Sequence, residues 1–221
     1  MRILITAGPT REPLDPVRYL SNRSSGRMGY ALAAAAARLG HHVLLVSGPT
    51  ALDVPAGVDF MPVETAREMF DAVGRHLPAC QVAIFAAAVA DYRPAAPCPR
   101  KLKKSVPSLT LELVRNPDIL AGARTTFGFT GTLVGFAAET DNLAANARDK
   151  LTRKRCDLVV ANDVSRRDRG FDSDHNEVLL VFPDHDEPLP LQPKSQLAAH
   201  ILDAAILLHS RRPTPDCGPG C

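Results

Sequence analysis

The chain has 221 residues, 45% of them hydrophobic, enough for one sizeable core. Its 26 Lys and Arg against 24 Asp and Glu leave a formal charge of +2, which argues against a general nucleic-acid or polyanion binder. Eight Phe, three Tyr and no Trp are too few rings for a base-stacking platform, and the 23% charged fraction describes an ordinary soluble protein.

Arg2–Thr6 is a short β-branched run that meets Gly8-Pro9, the first predicted strand. Arg27–Gly40 carries Met28, Ala31, Leu32, Ala35 and Leu39 at helical spacing, with Ser24 or Ser25 as its cap and Gly40 as its stop. His42–Ser47 reads as a strand. Thr65–Leu77 repeats the helical stripe at Ala66, Met69, Phe70, Val73 and Leu77. Gln81–Ala88 is a continuous apolar run, as expected of a strand buried on both faces. Pro117–Arg124 starts a helix with Pro at a first helical position. Thr132–Ala138 follows as a strand, Asn142–Lys154 as a helix and Asp157–Ala161 as a strand.

This alternation predicts an α/β fold, a doubly wound, mostly parallel Rossmann-like sheet. Val178–Phe182 and Leu189–Leu191 flank Pro183–Pro188 as a C-terminal β-hairpin. Ser195–His209 is a final helix with Leu197, Ala198, Ile201, Ala205 and Leu208 on one face. Residues 1–210 are expected to form one domain, and 211–221, rich in Pro, Gly and Cys, a disordered tail. Ala7–Arg23 and Asp91–Ser108 stand out as long irregular stretches. Both follow strands, on the side where open α/β sheets bind ligands.

The five cysteines, at 80, 98, 156, 217 and 221, contain no CxxC and no zinc spacing, which fits a reducing cytoplasm and no protein-held metal. Ile3–Ile5 is too short for the apolar stretch of a signal peptide. The longest apolar run, Val82–Ala90, falls well short of the roughly 20 residues that span a bilayer. Neither a membrane nor a nucleic-acid partner is therefore expected.

Four clusters can carry chemistry. Ser21-Asn22-Arg23-Ser24-Ser25-Gly26-Arg27-Met28-Gly29 stands ahead of the first helix, where free N–H groups bind anions and glycines admit a phosphate. A plain N-cap with close-packing glycine explains it equally well. No GxGxxG is present. Ala86–Ala90 offers small residues against which a flat ligand can lie, and Asp91 can accept from a base or sugar or help hold a metal. A packed strand ending in a solvated turn is the competing reading. Arg100-Lys101-Leu102-Lys103-Lys104 can close over a phosphate or be a solvated charge run. Lys150 and Lys154, four apart, share a helix face and repel mildly unless an anion or water relieves them. Asp172–Asn176 opens like a calcium loop, but Glu177 stands where that loop needs Gly and Pro183 where it needs Glu. The seven histidines include no HExxH.

Taken in order, these clusters resemble the phosphopantothenate–cysteine ligase (phosphopantothenoylcysteine synthetase) family in its bacterial form. The resemblance runs through Ile5–Glu12, Ser21–Gly26, Ala86–Arg93, Lys101–Lys104, Asn116–Leu120, Gly135–Thr140 and Ala161–Val164 and covers about residues 2–209. Each motif alone is weak and the ordered set is specific. In bacteria such a domain is usually fused behind a flavin-dependent decarboxylase. Here the first motif follows Met1 closely, so a stand-alone synthetase with a separate decarboxylase is expected.

The resemblance implies ligation of 4′-phosphopantothenate to L-cysteine through an acyl-cytidylate, with CTP favoured over ATP and Mg²⁺ accompanying the triphosphate. It implies catalytic roles for Asn22, at the acyl-nucleotide, and Lys101, at the phosphates. Phe85, Ala86, Ala87, Asp91, Lys101, Pro117, Asp118, Ile119, Leu120, Phe136, Lys150 and Lys154 map to nucleotide binding. Gly8, Thr10, Arg11, Ser24, Ser25 and Gly26 map to anionic substrate groups. Lys101, Lys150, Lys154 and the helix start are thus expected around one cleft. A homodimer is implied, with residues of one subunit completing the other's site.

Two other classes compete. An NAD(P)-dependent oxidoreductase would want a glycine fingerprint or a Tyr-x-x-x-Lys pair, but Tyr19, Tyr30 and Tyr92 are followed four on by Arg23, Ala34 and Ala96. A non-catalytic nucleotide-binding module would need neither Asn22 nor Lys101.

Overall fold

Alternation along the first strand, β1 (Arg2–Ala7), sets the layering: Ile3, Ile5 and Ala7 enter the core on one face of a sheet and Leu4 the core on the other. The computed structural model describes residues 1–103, 108–163 and 174–212. After β1 come β2 (Arg11–Pro13), β3 (Tyr19–Ser21), α1 (Arg27–Arg38), β4 (His42–Ser47), β5 (Val58–Pro62) and α2 (Ala66–His76). The chain continues through β6 (Val82–Phe85), β7 (Tyr92–Pro94), β8 (Leu113–Arg115), α3 (Ile119–Thr125), β9 (Thr132–Glu139) and α4 (Leu143–Lys154). It ends in β10 (Leu158–Asp163), β11 (His175–Val181), β12 (Asp186–Pro193) and α5 (Lys194–Ser210).

Eight strands form one sheet in the order β12-β11-β10-β9-β6-β1-β4-β5. The six from β10 to β5 are parallel, and β11 and β12 run antiparallel at one edge. The parallel strands have the doubly wound Rossmann order, in which the winding reverses between β1 and β6. Leu32 of α1 and Leu197, Ile201 and Leu202 of α5 pack with Ile3, Ile84 and Val160 on one face. Met69 and Val73 of α2, Ile119 and Ala123 of α3 and Ala147 and Leu151 of α4 pack with Leu4, Ala83 and Val159 on the other. The predicted fold class is therefore the observed one.

Local departures have physical causes. The stretch after β1 contains the hairpin β2–β3, and the stretch after β6 contains β7, which pairs with β8. Three-residue strands offer no alternation from which to read them. β5 also escaped the pattern, because as an edge strand it leaves Asp59 and Phe60 exposed. α1 is capped by Gly26 in the left-handed conformation and not by Ser24 or Ser25, and Leu39, placed above on its apolar stripe, is exposed. The face that packs runs through Gly29, Tyr30, Leu32, Ala33, Ala35 and Ala36. Pro117 precedes the helical cap instead of entering the helix; Asp118 caps α3 by accepting from the Ala121 N–H at 2.9 Å. The hairpin strands are longer than read and close at Phe182–His185, where the Phe182 N–H meets the His185 carbonyl at 2.9 Å. Pro188 and Pro190 are tolerated because β12 is an edge. Arg212 donates to Asp157 at 3.0 Å, and residues 213–221 of the expected tail lie outside the described residues.

The helix facing the switch point sits unusually close to β1. A Cβ built on Gly29 would lie 2.5 Å from Ala7 Cβ and 3.1 Å from Ala7 Cα. Backbone of a central strand cannot retreat, so Gly29→Ala should lose more to overpacking than it gains in helix propensity. We expect a net destabilisation of about 1–3 kcal/mol, read as a lower urea midpoint at unchanged slope.

Candidate functional site

Beyond the ends of β1 and β6 the chain continues their pairing through hydrogen bonds of the two following loops. Ala86 N–H donates to Thr6 O at 3.2 Å, Ala88 N–H to Gly8 O at 2.9 Å and Thr10 N–H to Ala88 O at 3.2 Å. Two threonine hydroxyls join in: Thr6 Oγ1 accepts from Ala87 N–H at 3.3 Å and Thr10 Oγ1 from Ala90 N–H at 2.9 Å. Asn22 Nδ2 donates to Ala88 O at 3.0 Å, and Ser21 Oγ to Thr10 O at 2.8 Å. Gly8 is required here, since it has φ +70° and a side chain would meet Gly48 O at 2.8 Å.

Two cavities open over this lacing. The larger, about 690 Å³, is lined by Phe85, Ala87, Asp91, Pro117, Asp118, Ile119, Leu120, Phe136, Lys150 and Lys154 among others. The smaller, about 380 Å³, is lined by Asn22–Gly29, Ala86–Val89, Asn162, Asn176 and Lys194 among others. They share the walls Ala87, Val89, Asp91, Phe136 and Lys150.

Cations and anions are balanced within the larger cavity. Lys150 Nζ donates to Phe136 O at 2.6 Å; burial and then neighbouring Lys154 pull its pKa down, against the pull of Glu139 and Asp118. Lys154 pairs with Asp118. Burial alone would raise the Asp118 carboxyl, but the bonds from Lys154 and the Ala121 N–H leave it below its ordinary value. Burial pushes the Cys156 thiol up to about 12, so it is no nucleophile at neutral pH.

The smaller cavity is differently made. It receives the N-terminal end of α1, whose cap makes no side-chain hydrogen bond and whose first turn holds no acid. The buried Oδ1 atoms of Asn162 and Asn176 have no hydrogen-bond partner, and Lys194 is also buried on this wall. Each of these buried oxygens is an acceptor with room for a hydrogen-bond donor from the cavity.

The expected residues thus fall on two joined cavities instead of one cleft. Asn22, Ser24, Ser25, Gly26 and Ala86 line the smaller, and the other nucleotide candidates, apart from Lys101, line the larger or both. Lys101 is exposed and lines neither; Lys104 of its basic run lies outside the described residues. Gly8, Thr10 and Arg11 also lie off the walls. Thr10 is buried in the lacing, and the Arg11 guanidinium sits 4.6 Å above the Tyr19 ring.

Sequence reasoning missed Arg115, Glu139, Asn146 and Arg153 on the larger cavity and Asn176 on the smaller, and it gave Asn162 no role of its own. Asn162 ends a buried strand, where an amide is costly without a partner, and that was its one readable signal. Asn176 sits on the antiparallel edge, brought to the site only by the pairing of β10 with β11.

The model of the family described as "DNA/pantothenate metabolism flavoprotein C-terminal domain" matches residues 1–208. The chain is 48% identical over 215 residues to the coenzyme A biosynthesis bifunctional protein CoaBC of Escherichia coli strain K12, covering 96% of this chain and 53% of that protein. It thus spans about half the length of the curated relative it matches. A crystal structure of the C-terminal domain of a CoaBC protein superposes with TM-score 0.80 at 42% identity, covering 95% of this chain and 96% of that one. The DNA/pantothenate metabolism flavoprotein of Streptococcus pneumoniae superposes with TM-score 0.81 at 23% identity, covering 94% and 99%, and shares the fold.

Proposed function

Because the chain belongs to the family of DNA/pantothenate metabolism flavoprotein C-terminal domains, we propose that it is a phosphopantothenate–cysteine ligase of coenzyme A biosynthesis. The observation that carries this reading is the pair of cavities with a common wall at Ala87, Val89, Asp91, Phe136 and Lys150. A reaction that joins a nucleotide to an acyl substrate needs two pockets meeting at the reacting atoms. An NAD(P)-dependent oxidoreductase has no comparable support, since neither the family nor a glycine fingerprint points to it.

The larger cavity takes the nucleoside triphosphate as its magnesium complex, CTP in preference to ATP. Lys150 and Lys154 meet its phosphates, and Asp91, on the common wall, would help hold the cation, which would supply charge neutralisation. The smaller cavity takes 4′-phosphopantothenate. The amides at the start of α1 suit its phosphate, and Asn162 and Asn176 its hydroxyl and amide groups.

In the first step the pantothenate carboxylate oxygen attacks the α-phosphorus, an acyl–O–P bond forms, and pyrophosphate leaves with the electrons of the broken P–O bond. Two anions must approach, so the cations offset their repulsion, with Lys101 joining the phosphates. In the second step the cysteine amine attacks the acyl carbon, CMP departs with the C–O electrons, and the nitrogen gives up a proton as the amide forms. Asn22 Nδ2 carries two hydrogens, one donated to Ala88 O, which leaves the other for the oxyanion of this step.

The protein would act in the cytoplasm as a homodimer, with a phosphopantothenoylcysteine decarboxylase as its partner activity. Exposed Val17, Tyr19, Tyr92 and Leu113 on the two small hairpins favour a subunit contact there.

The deciding experiment incubates the protein with 4′-phosphopantothenate, cysteine, Mg²⁺ and CTP or ATP, and follows products by mass spectrometry. Phosphopantothenoylcysteine and CMP should form faster than the adenylate-derived pair; no product with either nucleotide would sink the proposal. Asn22→Asp, which replaces a donor by a carboxylate, should slow amide formation on the order of 10²–10³-fold and accumulate acyl-cytidylate. Loss of pyrophosphate release in that variant would show its role lies earlier. Lys101→Gln should slow pyrophosphate release on the order of 10²-fold.

A further inference from the structure

Among the described residues, Asp91 is the only acid on the wall that the two cavities share. Among those residues its carboxylate also makes no hydrogen bond or ion pair, so its place is set by its backbone and its own side-chain torsions. That backbone is held from two sides. Thr10 Oγ1 accepts from the Ala90 N–H at 2.9 Å. From the other side Asn116 Nδ2 donates to Ala90 O at 2.8 Å, and the Asn116 N–H to Asp91 O at 2.8 Å. Asn116 directly follows β8, and its bonds carry the β7–β8 pairing one step past Tyr92 and Arg115. Its amide is kept from turning over, because Arg93 Nη1 donates to Asn116 Oδ1 at 3.1 Å and to Arg115 O at 2.6 Å. The residues after Asn116, Pro117–Leu120, line the larger cavity, as Asn116 does. One residue thus joins that stretch of wall to the backbone that carries the unpaired carboxylate.

We propose that Asn116 is a positioning residue for Asp91, fixing its carboxylate in register with the Pro117–Leu120 wall so that it is in place for the cation of the triphosphate. This rests on the ligase reading, in which the larger cavity takes the nucleoside triphosphate with its magnesium. Asn116 acts through Asp91 in this scheme and not on the phosphates. On an unanchored loop the carboxylate would have to be ordered at each binding event, whereas the Asn116 bonds order it beforehand.

CTP binding without the other substrates, followed by calorimetry with and without Mg²⁺, tests this placement with no reaction taking place. In the wild type Mg²⁺ should tighten CTP binding, and Asp91→Asn should remove most of that gain. Asn116→Ala leaves the backbone bond to Asp91 but releases Ala90 O. It should cut the Mg²⁺ gain about 5- to 10-fold and leave the metal-free affinity within a factor of about 3. In the double variant with Asp91→Asn, the gain should equal that of Asp91→Asn alone, within a factor of about 3. Asn116→Leu keeps the volume without the donor and should behave as the alanine variant; it serves if Asn116→Ala does not fold. Pyrophosphate release without cysteine should slow about 10- to 100-fold in either variant. An undiminished Mg²⁺ gain in a folded Asn116 variant, losses that multiply in the double variant, or a full gain in Asp91→Asn would overturn the proposal. A wild-type protein that binds no CTP, with or without the metal, would instead be a failure of the ligase reading, visible before Asn116 is touched.

Discussion

The site depends on a pairing that outlasts the sheet. β1 and β6 are neighbours at the point where the winding reverses, so their following loops diverge toward opposite faces. Left alone, such loops would splay. Thr6, Gly8 and Thr10 instead stay bonded to Ala86–Ala90, partly through backbone and partly through threonine hydroxyls. Asn22 enters the same network through Ala88 O. The floor of both cavities is thus a backbone surface with its hydrogen bonds already made, which is why small residues are concentrated there. Larger side chains on Ala86, Ala87 or Ala88 would fill the space the cavities occupy.

Charge in the molecule is local. A net formal charge of +2 conceals a larger cavity where Lys150 and Lys154 face Asp118 and Glu139. The Phe136 carbonyl holds Lys150 and the Asp118 carboxylate holds Lys154, and a phosphate can compete for Lys154 because Asp118 is also engaged as the cap of α3. The smaller cavity adds the start of α1 and the amides of Asn162 and Asn176 to the charges of Arg23, Arg27 and Lys194.

Much of this was legible in the residues. Strands that are buried on both faces read as unbroken apolar runs, and helices packed on one side read as stripes, so the parallel sheet and its helices emerged in order. The irregular stretches after β1 and β6 marked the ligand side. The small hairpins did not emerge, because three-residue strands have no period, and β5 did not because an edge strand is only half covered. The α1 cap was misread because Gly26 supplies a left-handed turn that a serine cap would not need.

The sequence by itself determined the fold class and the family, and it named some of the residues that line the two cavities, since these follow from local periodicity and from motifs in a fixed order. It could not determine which residues meet across the chain. Only the tertiary structure put Asn162 and Asn176 on one wall with the start of α1, because β11 reaches the site by pairing with β10. Only it showed Thr10 bracing the loop after β6, and joined Asp15 and Arg18 to Leu102 across more than 80 residues. Such contacts depend on loop closure and strand order, which no short window of sequence contains.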